Sequence, residues 1–90
     1  MNQLKAMQET LQLARLAGME NLVSDIPELD FPHLLDMYNR VHSGEIEFSE
    51  AKLGRWLGWM QAAVVAAGIG LTLEDMKAIN KANADVKQST

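Results

Sequence analysis

Residues 56–71, WLGWMQAAVVAAGIGL, run without a single charge. A chain of 90 residues must bury such a run in its core, share it with a partner or place it in a bilayer. Sixteen residues of helix span about 24 Å, short of the roughly 30 Å hydrocarbon core, and Gln61 and the closing glycines weaken the span further. Interior packing accounts for the run, and no membrane partner is expected.

The helix that contains it is expected over 49–67. Ser49 suits the N-cap, Glu50 complements the dipole in the first turn, and Gly68 is the first residue placed to end it. Leu53, Trp56, Leu57, Met60, Val64 and Ala67 recur at three- and four-residue steps and form a core-facing stripe. Gly54, Gly58, Ala62 and Ala66 form a second stripe with almost no side-chain volume. Two interior glycines cost about 1 kcal/mol each against alanine, so this side predicts close approach by another helix, in the same chain or in a second copy. With Trp59, Ala63 and Val65 the perimeter is almost wholly apolar, which makes this the expected central helix.

A short link containing Gly68 and Gly70 leads to Thr72, which caps a helix over 73–83, with Asp75 closing a short capping box and Leu71 placed to staple onto Met76. Leu73, Met76 and Ile79 give its inner face. The brevity of the link predicts an αα-hairpin. Toward the N-terminus, Leu4, Met7, Leu11 and Ala14, widened by Leu13 and Leu16, predict a helix over 2–17 that ends at Gly18 and offers a core face or a dimer seam. The pattern weakens over 19–30, read as a loop with one helical turn anchored by Leu22 and Ile26. Asp30 before Phe31 and Pro32 then caps a helix over 31–43, whose Leu34, Leu35, Tyr38 and Val41 turn inward. Residues 84–90 are expected to fray. The fold class is therefore all-α: one helical domain over 1–90, a small bundle of about four helices with a C-terminal hairpin, oligomeric through the glycine–alanine stripe or the first helix.

Composition excludes more functions than it assigns. The 48% hydrophobic content fits a folded domain, and the absence of cysteine removes disulfides and thiolate metal sites, in keeping with a reducing cytosol. The N-terminal dozen residues are too polar for a signal peptide. Eight acids and one base, Arg40, fall between residues 19 and 50, against four acids and seven bases elsewhere. A net charge of −4 without a basic cluster argues against duplex DNA, and Glu74 and Asp75 would face phosphates at the start of any recognition helix. Asp25, Glu28, Glu45 and Glu47 instead offer an acidic face, either a solvated surface or one that meets a basic groove on a protein that normally binds nucleic acid. His33 and Asp36 share a helical face, and His42 lies near Glu45. Neither pair supplies enough ligands for a metal. No nucleophile motif or phosphate-cradling glycine loop is present, so neither an enzyme nor a cofactor is expected. Lys52, Arg55, Trp59 and Gln61 gather two cations, an indole and an amide near the start of the central helix, a set that can hold a nucleobase and phosphate. The competing reading stacks Trp59 under Arg55 at the surface or at an interface.

The run Leu53-Gly54-Arg55-Trp56-Leu57-Gly58-Trp59-Met60-Gln61, followed by Gly68 and then by Thr72-Leu73-Glu74-Asp75-Met76 and Asn80, resembles a C-terminal pattern of small phage and prophage proteins. That pattern is an R-W-L-G-aromatic-x-Q helix followed by a T-L-x-E-M-x-x-x-N helix. Asp75 stands here where the pattern usually has glutamate. The resemblance covers about the last 35 residues and carries no assigned activity. It implies a phage accessory protein that works by occupying something in the bacterial host cytosol. The leading expectation is a non-enzymatic inhibitor of a host protein, for instance in an anti-phage defence system. The alternatives are a sponge for a nucleotide immune signal at Lys52, Arg55, Trp59 and Gln61, and a helical assembly protein.

Overall fold

The computed structural model describes residues 1–45 and 47–84. Of the tail expected to fray over 84–90, residues 85–90 lie outside the described residues, as does Ile46 in the link before the third helix. Four α-helices follow in order, α1 Gln3–Leu16, α2 Phe31–His42, α3 Glu50–Ala66 and α4 Leu73–Ala82, and the described residues form no strand. Two 3₁₀ turns, Met19–Asn21 and Pro27–Leu29, occupy the segment between α1 and α2.

Most helix ends form by the means the sequence offers. Asn2 and Ser49 accept the amides of Lys5 and Lys52 at 3.0 and 3.1 Å. At α4 the capping box is complete, since Asp75 donates its amide to the Thr72 hydroxyl at 3.2 Å and its carboxylate accepts the Thr72 amide at 2.8 Å. Gly18, Gly44, Gly68 and Gly70 have φ between +71° and +89°, the left-handed region where a β-carbon is costly. Asp30 is the exception among the caps. Its backbone starts α2, but its carboxylate turns back to accept the amide of Ser24 at 3.1 Å and ties down the preceding loop instead.

The core is built on α1 rather than on α3. Ala6, Met7, Thr10, Leu11 and Ala14 of α1 are buried, and α2, α3 and α4 all pack against this helix. The small side chains of Ala6, Thr10 and Ala14, four residues apart, leave room for that convergence. Opposite them lie Phe31, Leu34 and Met37 of α2, Leu57, Met60, Ala63 and Val64 of α3, and Met76 and Ile79 of α4. Between α3 and α4 the contact is slighter: both rest mainly on α1, and one amide pair joins them.

Several inward assignments are displaced. Leu16, two residues past the last buried position of α1, is 85% exposed, and Leu73 is also exposed. Leu22 and Ile26 do not anchor the loop. Buried Met19 does so, held by the first 3₁₀ turn. The stripe expected to meet a helix closely faces outward within the chain: Gly58, Ala62 and Ala66 are exposed, and a β-carbon at Gly58 would meet nothing within 4 Å. Of the two glycines, Gly54 is the one that is approached, by the Gln3 amide.

Replacing Thr72 with alanine removes the reciprocal cap of α4 and is expected to lower stability by about 1 kcal/mol, or the melting midpoint by roughly 4–8 °C. Thermal unfolding followed by circular dichroism measures this. An unchanged midpoint contradicts the role given to the box.

Candidate functional site

The polar members of the C-terminal pattern are placed by the fold in two settings. Gln61 is buried between helices. Its Nε2 donates to the Asn80 Oδ1 at 2.8 Å and to the Thr10 Oγ1 at 3.2 Å, while its Oε1 accepts from the Asn80 Nδ2 at 3.0 Å. The Thr10 hydroxyl donates in turn to the Ala6 carbonyl at 2.7 Å. Every donor and acceptor of the Gln61 amide thus has a partner inside the chain, and turning it to a ligand would take a bond from the buried Thr10 hydroxyl or from the half-buried Asn80 amide.

Trp59 is set differently. Its Nε1 donates to the backbone carbonyl of Glu28 at 3.0 Å, a bond across 31 residues that fixes the indole against the second 3₁₀ turn, yet the residue stays 45% exposed. The ring borders a groove of about 430 Å³ between α2 and α3, lined also by Glu28, His33, Asp36, Met37, Arg40 and Trp56. Arg40 is bound to Asp36, Nε to Oδ2 at 3.0 Å.

The remaining expected ligand residues point elsewhere. The Lys52 ammonium stands 4.9 Å from the ring centroid of Phe48 and 5.5 Å from that of Trp56. Trp56 itself meets the Phe48 ring edge-on at 4.7 Å. Arg55 is exposed, and among the described residues the cations standing over rings are Lys52 and Arg15, the latter over Phe31. Lys52, Arg55, Trp59 and Gln61 therefore do not converge on one cavity. Trp59 shares its groove with Arg40 of α2 instead.

Of the acidic set, Glu28 borders this groove, and Asp25, Glu45 and Glu47 are exposed. Glu20 is held by Arg15 at 3.3 Å and Asp36 by Arg40. Gly58, Ala62 and Ala66, with Val65, Leu73 and Met76, line a second groove of about 510 Å³ between α3 and α4. A third, of about 280 Å³, lies under residues 19–24 and is walled by Leu22, Val23, Phe31, Ala63 and Ala67. Above it Val23 is 91% exposed, with Leu16, Leu22 and Ile26 also at the surface. No group of acids and histidines among the described residues is arranged to hold a metal ion, and no helix among them is long and apolar enough to cross a membrane.

Three residues of consequence escape the periodicity argument. Thr10 interrupts the apolar face of α1 with a hydroxyl, which is the one hint that a polar group is met there. Asn83, buried at the end of α4, donates to the Glu9 carboxylate at 2.8 Å, and its carbonyl accepts the Asn2 amide at 2.8 Å, so it ties the end of α4 to the first half of α1. Arg40 shares a face with His33 and Asp36 at steps of three and four, a pattern visible in the sequence without any sign that Trp59 lies opposite.

Replacing Trp59 with phenylalanine keeps an aromatic ring but removes its bond to Glu28, with an expected loss of about 1 kcal/mol in urea unfolding. A loss near zero contradicts a fixed indole. Comparison with known proteins adds no ligand to these surfaces: no family model, curated protein or solved structure matches the chain.

Proposed function

We propose that this is a non-enzymatic phage accessory protein that binds and occupies a bacterial host protein, a component of an anti-phage defence system being the natural class of target. The observation that carries this reading is the surface over residues 16–28, where Leu16, Leu22, Val23 and Ile26 stand exposed with Asp25 and Glu28 among them. Fully burying an aliphatic side chain of this kind contributes about 1.5–3 kcal/mol, so a few of them form a sufficient centre for an interface. Carboxylates at its rim steer it toward a basic partner, such as the groove of a protein that normally holds nucleic acid. The C-terminal resemblance to small phage proteins supports the origin.

The sponge reading has less support. It requires cations converging on an exposed aromatic face, whereas Gln61 is committed to Asn80 and Thr10, Lys52 lies over Phe48 and Trp56, and Arg40 is bound to Asp36. Self-association belongs to the groove between α3 and α4. The exposed knob of Leu73 and the holes at Gly58 and Ala62 share one patch there, the self-complementarity that a two-fold interface requires.

Tagged protein incubated in host lysate is expected to retain one protein in stoichiometric amount. Val23→Asp should abolish retention, and the Asp25→Lys, Glu28→Lys pair should weaken it, with circular dichroism unchanged for both. Retention equal across these variants contradicts the surface. A melting point raised by a cyclic nucleotide, with nothing retained from lysate, would instead establish the sponge, since a ligand at 100 times its Kd stabilises by about 2.7 kcal/mol. For self-association, the molar mass in solution by light scattering is expected to exceed that of one chain and to fall to it in Gly58→Leu; a monomeric wild type rules the second copy out.

A further inference from the structure

The groove between α2 and α3 has properties that the apolar surface over residues 16–28 does not explain. Its aromatic wall is fixed in advance, because the bond from Trp59 to the Glu28 carbonyl holds the indole without covering it. A platform already held in place loses little side-chain freedom when something stacks on it. Trp56 continues the wall, with Lys52 over its ring. Two acidic residues line the groove, Glu28 from the second 3₁₀ turn and Asp36 from α2. The Glu28 carboxylate has no ion pair among the described residues, and Asp36 gives one oxygen to Arg40 and keeps the other. Among the described residues that line the groove Arg40 is the permanent cation, its charge set against Asp36, and Lys52 stands beyond them over the Trp56 ring. His33 completes the rim.

An indole face is attracted to cations, and carboxylates beside it add charge-assisted acceptors in the plane of a stacked group. Two acids and one paired cation disfavour a phosphate, and the chain as a whole is net −4. Between the two cationic side chains, guanidinium is planar, weakly hydrated and able to stack on indole while donating to a carboxylate at its edge, whereas ammonium is compact and holds its water. We propose that this groove is a receptor for an arginine side chain of a protein partner, stacked on Trp59 and bonded to Glu28 and Asp36. The proposal deepens the protein-binding reading and rests on it for the source of the arginine. It also supplies what an apolar patch lacks, a means of choosing among basic partners.

The test needs no host protein, so its failure is separable from failure of the lysate capture. Protein labelled with nitrogen-15 is titrated with the peptide acetyl-Ala-Arg-Ala-amide, and the two indole N–H resonances, assigned through Trp56→Phe, are followed. The Trp59 resonance is expected to move saturably, and the same peptide with citrulline, which keeps the shape without the charge, should bind roughly tenfold more weakly. Glu28→Gln leaves the backbone carbonyl that holds the indole, and Asp36→Asn removes only an exposed pair of small energetic consequence, so both variants should stay folded while weakening the arginine peptide several-fold. Equal shifts from the citrulline peptide, an undiminished response in both variants, or a Trp59 resonance moved by a nucleotide and not by the arginine peptide would each overturn the proposal.

Discussion

Burying a primary amide between helices is tolerable only if its oxygen and both its hydrogens find partners, and Gln61 finds them on two different elements. Asn80 of α4 pairs with it reciprocally, and Thr10 of α1 takes the remaining hydrogen. Those bonds set the rotation and height of α1, α3 and α4 together, because a shift of any one helix by a residue would leave buried donors unmatched. Apolar packing alone is less selective. Much of the core is methionine, alanine and leucine, which adapt to one another readily. The amide pair therefore selects one arrangement from among several that would bury similar area.

This changes what the C-terminal sequence pattern means. Gln61 and Asn80 make the lock, Thr72 and Asp75 make the cap of α4, and Trp59 anchors the loop before α2 through Glu28. A pattern that looks like a binding motif is largely a folding device, with the Trp59 ring as the member that also remains at the surface. The exposed acidic and apolar side chains of α2 and of residues 16–28 lie outside the pattern.

Much of the architecture is legible in the sequence because its signals are local. Capping residues, glycines and the three- and four-residue apolar steps mark all four helices to within one or two residues at each end. What is not legible is which helix the others share. The absence of charge from residue 56 to the end of α3 argues for a central position, yet α1 takes it, because alanine and threonine at positions 6, 10 and 14 let neighbours come close while the small stripe of α3 faces outward. The candidate ligand set fails to converge for a related reason. Lys52, Arg55, Trp59 and Gln61 lie on one helix and point around it, so only the tertiary contacts decide that Gln61 turns inward to Asn80 and that Trp59 shares a groove with Arg40 rather than with Arg55. The turned-back carboxylate of Asp30 is equally hidden, since a cap and a loop tether have the same local sequence.

The claim on which the rest depends is that Gln61 and Asn80 act as one unit. A double-mutant cycle in urea unfolding, with Gln61→Ala, Asn80→Ala and both together, measures that directly. The single variants are each expected to lose about 1–3 kcal/mol and the double variant to lose less than their sum by about 1 kcal/mol or more, since either change alone strands the amide of the other residue and the double change removes both. Losses that add to within about 0.5 kcal/mol would show two independent residues and contradict the account.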